Sequence, residues 1–166
     1  MTSVAIAGCA GYVGQELLDR ILAHPGLEPV ALGSDSLAGR GAAALDPRLE
    51  DVDLPDFVAV AEALACGADL LFLCLPHERA AALTPPAVGV VVDLSGAHRL
   101  QEGGRYAGWY GWEHPAPAAL RDWCYALPEL FPPSGRLIAN PGCYATAALL
   151  ALAPLRGAID PEVLTA

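Results

Sequence analysis

Val4-Ala5-Ile6-Ala7-Gly8-Cys9-Ala10-Gly11-Tyr12-Val13-Gly14-Gln15-Glu16-Leu17-Leu18 is the stretch whose reading decides the fold. Its first four residues form a short apolar run that reads as a strand. Gly8, Gly11 and Gly14 punctuate the turn that follows. Residues 15–24 read as an amphipathic helix with Leu17, Leu18, Ile21 and Leu22 facing inward, ended by Pro25-Gly26. Glycines between a strand and a helix let the backbone turn tightly and let a pyrophosphate approach the helix N-terminus. The spacing is Gly-x-x-Gly-x-x-Gly, one residue wider than the common dinucleotide fingerprint. Alone it also describes a glycine-rich turn without a ligand. The strand before it and the helix after it favour dinucleotide binding, with Gly8, Gly11, Tyr12, Val13 and Gly14 as contacts.

Outward from this unit the chain alternates. Residues 29–32 read as a second strand, 33–55 as a long loop, 58–60 as a short strand and 61–66 as a turn or two of helix. The near-continuous apolar runs at 69–75 and 88–94 are expected of strands buried on both faces of a parallel sheet. A helix is expected at 78–83. The segment 101–127 is aromatic and irregular, and its rings are expected to pack a long loop. A last strand at 136–139 precedes a helix at 144–155. The alternation predicts an α/β chain with a Rossmann-type, doubly wound, mostly parallel sheet.

Bulk properties agree with a packed core. The chain has 166 residues, 54% hydrophobic and 17% charged, with a formal charge of -10. Such an acidic balance argues against nucleic acid and anionic membranes, which need basic patches. No apolar run reaches the roughly 18 residues of a membrane span, and no basic region precedes the N-terminal apolar residues. The 5 cysteines are odd in number and scattered. No Cys/His spacing resembles a metal site, so they read as free thiols in a reducing cytoplasm. Cys66 and Cys74 read as buried structural residues, and Cys9 as a small packing residue of the turn.

Asn140-Pro141-Gly142-Cys143-Tyr144 carries the chemistry. It places Cys143 in the first turn of a helix, where unpaired N–H groups and the dipole favour an anion. The thiolate is the nucleophile. Beside a nicotinamide, such a cysteine points to acyl capture as a thioester coupled to hydride transfer. Asp35, about 20 residues past the third glycine, is placed to bond a ribose 2′-hydroxyl, which would select NAD. Ser34, Ser36 and Arg40 in the same loop are placed to bond a 2′-phosphate instead; both readings stand, as does a solvated acid. Pro76-His77 closes a strand on the ligand side of such sheets, and His77 reads either as a cofactor contact or as a cap. Ser95, Arg99 and Asn140 are candidate substrate contacts, Arg99 through a bidentate grip on phosphate or carboxylate or else as a surface ion pair. Asn140 also fits a plain turn. His98 and His114 read as exposed loop residues. A non-catalytic nucleotide sensor and a non-redox cysteine acyl transferase are the rival classes.

These motifs together are similar to the N-acetyl-γ-glutamyl-phosphate reductases. The resemblance runs through Gly8–Leu17, Ser36-Leu37-Ala38-Gly39-Arg40, Leu75-Pro76-His77, Asp93-Leu94-Ser95 with Arg99-Leu100, Tyr125-Ala126-Leu127-Pro128-Glu129-Leu130 and Asn140–Thr146, in order over nearly the whole chain. It implies NADPH-dependent reduction of a small-molecule acyl phosphate to a semialdehyde, with Cys143 as the catalytic nucleophile. A carrier-bound aminoadipyl phosphate is the related alternative substrate. Three positions depart from the pattern: Cys9-Ala10 in the turn, His98 where a Phe is usual, and Asp35 where an Arg is frequent. Asp35 leaves NADP against NAD open. The resemblance also implies a homo-oligomer about twice this length, with a second α+β domain supplying the general acid/base histidine. Residues 1–142 are then the nucleotide-binding domain, and 143–166 the cysteine helix and the start of an incomplete second domain. On that reading the chain is truncated and inactive alone.

Overall fold

The computed structural model describes residues 1–87 and 89–158. Seven strands form one sheet: β1 (Thr2–Ala7), β2 (Leu27–Gly33), β3 (Phe57–Val58), β4 (Leu70–Leu73), β5 (Val90–Asp93), β6 (Cys124–Tyr125) and β7 (Leu137–Ala139). Their order is β3-β2-β1-β4-β5-β7-β6. Every pairing is parallel, so all the carboxyl ends lie on one edge. The order reverses beside β1, which is where open sheets of this kind bind ligands. The expected Rossmann-type class is therefore present, and the sheet is wholly parallel.

Among the described residues there are five α-helices: α1 (Tyr12–Leu22), α2 (Val60–Ala65), α3 (His77–Ala81) and α4 (Tyr106–Tyr110) lie between strands, and α5 (Cys143–Leu152) follows β7. The core is split by the sheet. Val4 and Ile6 of β1 pack with Leu18, Ile21, Leu32 and Phe57 on one face. Ala5 and Ala7 pack with Val60, Ala63, Leu71, Leu73, Ala80 and Val91 on the other. Successive strand residues point to opposite faces, so one apolar run serves two layers. Burying side chains such as Leu18 and Ile21 contributes about 1.5–3 kcal/mol each.

Several sequence expectations are corrected. Helix α1 begins at Tyr12, inside the glycine turn, because extended Gly11 serves as its N-cap. Its buried face is Gly14, Leu18 and Ile21, while Leu22 faces solvent and Leu17 is half-buried. The loop at 33–55 holds two single turns of 3-10 helix, Ala42–Ala44 and Pro47–Leu49. Asp46 caps the second by accepting from the Arg48 N–H at 2.9 Å, and Ala42 and Leu49 join the core beside α1. Cys66 is exposed, since it lies just past the last turn of α2. Cys74 is only partly buried. The strand expected at 88–94 is Val90–Asp93. Val88 and residues 159–166, where the second domain was expected to continue, lie outside the described residues.

The aromatic segment folds into a cluster. Tyr106 is fully buried and contacts the rings of Tyr110, Trp112 and His114. Its hydroxyl donates to the Ala97 carbonyl at 2.6 Å. Trp109 stays exposed. His98 and His114, expected on the surface, are buried. His98 is drawn in by Asp93, and burial pushes the His114 imidazole below its ordinary value of 6.5, helped by His98. Among the described residues, no helix is long and apolar enough to cross a membrane.

Candidate active site

The glycine turn forms because two strand ends hold it. The N–H groups of Gly8 and Cys9 both donate to the Gly33 carbonyl at 2.9 Å, and Gly11 N–H donates to Gly8 O at 3.1 Å. Gly8 needs its missing side chain. Its φ is +90°, and a Cβ there would lie 2.3 Å from the Cys74 carbonyl oxygen. Gly14 brings α1 against the turn: a Cβ would sit 2.5 Å from Gly8 O and 2.6 Å from Cys9 Cα. At Gly11 a Cβ would meet only Gly8 O, at 3.3 Å.

A cleft of about 380 Å³ opens above this turn, lined by Gly8, Ala10, Gly11, Ser34, Ser36 and Pro76 together with Asp35, Val60, Cys74, Leu75 and Arg79. It is open, and its wall is part glycine backbone and part hydroxyl. These residues fit a dinucleotide: a bare backbone for the pyrophosphate and polar groups past β2 for the adenosine ribose. Burial pushes the thiols of Cys9 and Cys74 up to about 12, so both stay neutral beside it.

Five of the expected cofactor residues line this cleft: Gly8, Gly11, Ser34, Ser36 and Pro76. Tyr12, Val13, Gly14, Arg40 and His77 do not. Tyr12 and Val13 are exposed on α1. Arg40 is held through its backbone, its N–H donating to Leu37 O and its carbonyl accepting from Phe57 N–H. His77 Nδ1 accepts from Gly96 N–H at 2.9 Å, tying the start of α3 to the loop after β5.

A second cleft, of about 270 Å³, lies along the same edge and is lined by Arg99, Leu100, Tyr110, Tyr125, Gly142 and Ala145. Cys143, at the first position of α5, follows Gly142 and is exposed; it does not itself line this cleft, and neither do Ser95 and Asn140. Extended Gly142 is the N-cap and offers no side chain. Thr146 N–H donates to Gly142 O at 2.9 Å and closes the first turn, so the N–H groups of residues 143–145 precede the helical ladder and point outward. The turn is braced by Arg99. Its Nε donates to Asn140 O at 2.8 Å and its Nη2 to Leu94 O at 2.9 Å, joining the ends of β5 and β7. Nη1 lies 2.9 Å from where a Gly142 Cβ would stand, so a side chain there would displace the end of the guanidinium. Asn140 N–H donates to Asp93 O at 2.9 Å, and its side-chain amide donates to Pro141 O.

Ser95 faces inward. Its hydroxyl donates to Asp93 Oδ2 at 3.0 Å and accepts from Ala97 N–H. Asp93, wholly buried, also takes Ser95 N–H at 2.8 Å and His98 Nδ1 at 2.6 Å. His98 stacks on Trp123 with ring centroids 3.7 Å apart. Sequence reasoning did not single out this Asp93–His98 pair, nor Arg79 and Tyr110 in the clefts. The available signals were a lone acid closing an apolar strand, and a cation just past Pro76 on the ligand edge.

Glycine turn and cysteine turn thus open on one edge, three strand positions apart, from β1 across β4 and β5 to β7. At the usual strand spacing this is about 14 Å.

Comparison with known proteins agrees with this fold. The family profile of the semialdehyde dehydrogenase NAD-binding domain matches residues 3–136. An N-acetyl-gamma-glutamyl-phosphate reductase of Dehalococcoides mccartyi is 40% identical over 155 residues, covering 90% of this chain and 44% of its own. A protein of Thermomicrobium roseum, provisionally named a LysW-L-2-aminoadipate 6-phosphate reductase, is 41% identical over 98% of this chain and 48% of its own. The crystal structure of an aspartate semialdehyde dehydrogenase with NADP from Candida albicans superposes with a TM-score of 0.57 at 17% identity, over 93% of this chain and 46% of that one; at that identity it speaks for the fold alone. The chain spans about half the length of the curated relatives it matches.

Proposed function

The chain belongs to the semialdehyde dehydrogenase NAD-binding-domain family, and on that premise we propose that it is the nucleotide-binding and nucleophile-bearing part of an NADPH-dependent acyl-phosphate reductase. The substrate we assign is N-acetylglutamyl 5-phosphate, reduced to the 5-semialdehyde for arginine biosynthesis. The observation that carries this reading is the exposed Cys143 at the mouth of α5, on the same sheet edge as the glycine cleft.

Cys143 attacks the acyl carbon as thiolate, phosphate leaves with the electron pair of the C–O bond, and a thioester forms. The outward N–H groups of residues 143–145 receive the oxyanion as it develops. A nicotinamide dinucleotide held by Gly8, Gly11, Ser34 and Ser36 would supply the hydride that reduces the thioester, and the Cys143 thiolate would then leave as the aldehyde is freed. Arg99 keeps Gly142 and the cysteine turn in register by holding Leu94 and Asn140 together. Asn140 forms the turn.

The 166-residue chain is expected to acylate at Cys143, and the enzyme to work as a homo-oligomer in the cytoplasm. The Thermomicrobium relative's name supports a second reading, a carrier-bound aminoadipyl phosphate as substrate.

The test uses acetyl phosphate and the purified chain. Intact-mass and peptide analysis should find a hydroxylamine-labile acyl group on Cys143, absent in Cys143→Ser. Acylation confined to other residues would overturn the nucleophile assignment.

A further inference from the structure

We propose that Arg79 is the cation that reads the adenosine 2′-phosphate, and that Asp35 positions it instead of accepting a ribose hydroxyl. The inference rests on the dinucleotide reading of the glycine cleft.

Asp35 follows β2, where an acidic residue commonly bonds the ribose 2′-hydroxyl. In this chain both of its oxygens are engaged within the protein. Oδ1 accepts the Val60 N–H at 2.9 Å, capping α2 from outside. Oδ2 pairs with Arg79 Nη2 at 2.7 Å. The Val60 hydrogen bond, and after it the Arg79 guanidinium, hold the Asp35 carboxyl below its ordinary value of 3.8. Its charge is thus present but offset, and its direction is set by α2.

Arg79 reaches the cleft from α3, and its side chain stays half-exposed. A guanidinium has five N–H donors in a planar fork. One meets Asp35, and the fork still borders the cleft beside Ser34 and Ser36. The hydroxyls of those serines lie 3.2 Å apart. Among the described residues lining the cleft, Arg79 is the only cation. A fork and two hydroxyls match the oxygens of a phosphate dianion. A ribose hydroxyl has no use for the fork. The pair also explains how an acid at position 35 coexists with a phosphate-bearing nucleotide: the helix cap and the arginine neutralise it before the ligand arrives.

Calorimetric titration of the 166-residue chain with 2′,5′-ADP and with 5′-AMP tests this, since the two differ by the 2′-phosphate. Wild type should bind 2′,5′-ADP at least about tenfold more tightly, the scale of one charge-assisted contact. Arg79→Gln should remove about that factor for 2′,5′-ADP and leave 5′-AMP within about twofold. Arg79→Lys should retain part of it, because a point charge remains without the fork. Asp35→Asn should leave 5′-AMP affinity within about twofold. Arg79→Gln weakening both ligands alike, or neither, would overturn the proposal. So would a tenfold loss of 5′-AMP in Asp35→Asn, which would make Asp35 the ribose acceptor. Chain that binds neither ligand overturns the dinucleotide reading and this proposal with it.

Discussion

Replacing Gly8 with alanine separates two costs that a glycine can conceal, and Gly39 supplies the control. Both residues have positive φ, +90° at Gly8 and +79° at Gly39. An L side chain in that region costs about 1–2 kcal/mol. The stiffer unfolded chain returns about 0.4–1 kcal/mol. Gly39→Ala meets nothing within 4 Å, so its net loss should stay between about 0 and 1.5 kcal/mol. Gly8→Ala carries the same backbone terms and a collision. Its Cβ would stand 2.3 Å from Cys74 O and 2.8 Å from Cys74 C. Cys74 cannot retreat freely, because its N–H donates to Ala7 O at 2.8 Å and joins β4 to β1. Overpacking of this kind costs about 1–3 kcal/mol. Gly8→Ala should therefore lose about 1–3 kcal/mol more than Gly39→Ala, some 2–12 °C in melting temperature for a chain of this size. Urea titration followed by far-UV circular dichroism reads both. Equal losses in the two variants would refute the reasoning, since they would mean that the close approach of β4 contributes nothing.

Two further outcomes follow from the thiols. Cys9 and Cys74 are raised from 9.0 to about 12 in the fold, so between those values the folded chain holds protons that the unfolded chain has released. Stability should be complete below about pH 9 and should fall as pH rises above it, by at most about 1.4 kcal/mol per pH unit for each thiol. Urea titrations across that range should show a flatter slope in the Cys9→Ala, Cys74→Ala double variant, with Tyr106, also raised by burial, contributing the remainder; an unchanged slope would count against the assignment. A short iodoacetamide pulse at pH 8 should label exposed Cys66 and Cys143 and spare Cys9 and Cys74. Peptide mapping that finds Cys9 modified before Cys143 would show that the glycine turn opens locally.

The parallel architecture was legible in the chain itself because its signals are local. Strand β1, the glycine turn and α1 are contiguous, and the apolar runs at β4 and β5 state their two-sided burial directly. The start of α5, expected at Tyr144 and found at Cys143, was legible to within a residue for the same reason, since Pro141-Gly142 and the Ala/Leu run that follows act within one turn. Local signals misplaced some faces and boundaries. Leu22 carries the right residue type for the core, yet the packing angle of α1 on the sheet puts it in solvent. His98 and His114 looked like loop residues because polarity is read one residue at a time, and their burial depends on Asp93 and the aromatic cluster.

Sequence alone determined most of the strands and helices, though not α4 and β6 within the segment read as an aromatic loop, and it determined where the glycine turn sits and which cysteine opens a helix, since propensity, periodicity and glycine or proline punctuation act over a few neighbouring residues. Only the tertiary structure decided which distant groups meet: Arg79 with Asp35, Arg99 across Leu94 and Asn140, and Asp93 with His98. These pairings depend on the strand order β2-β1-β4-β5-β7, which brings together loops far apart in the chain. Charge pairing and burial are settled by that proximity in space, which no local pattern encodes.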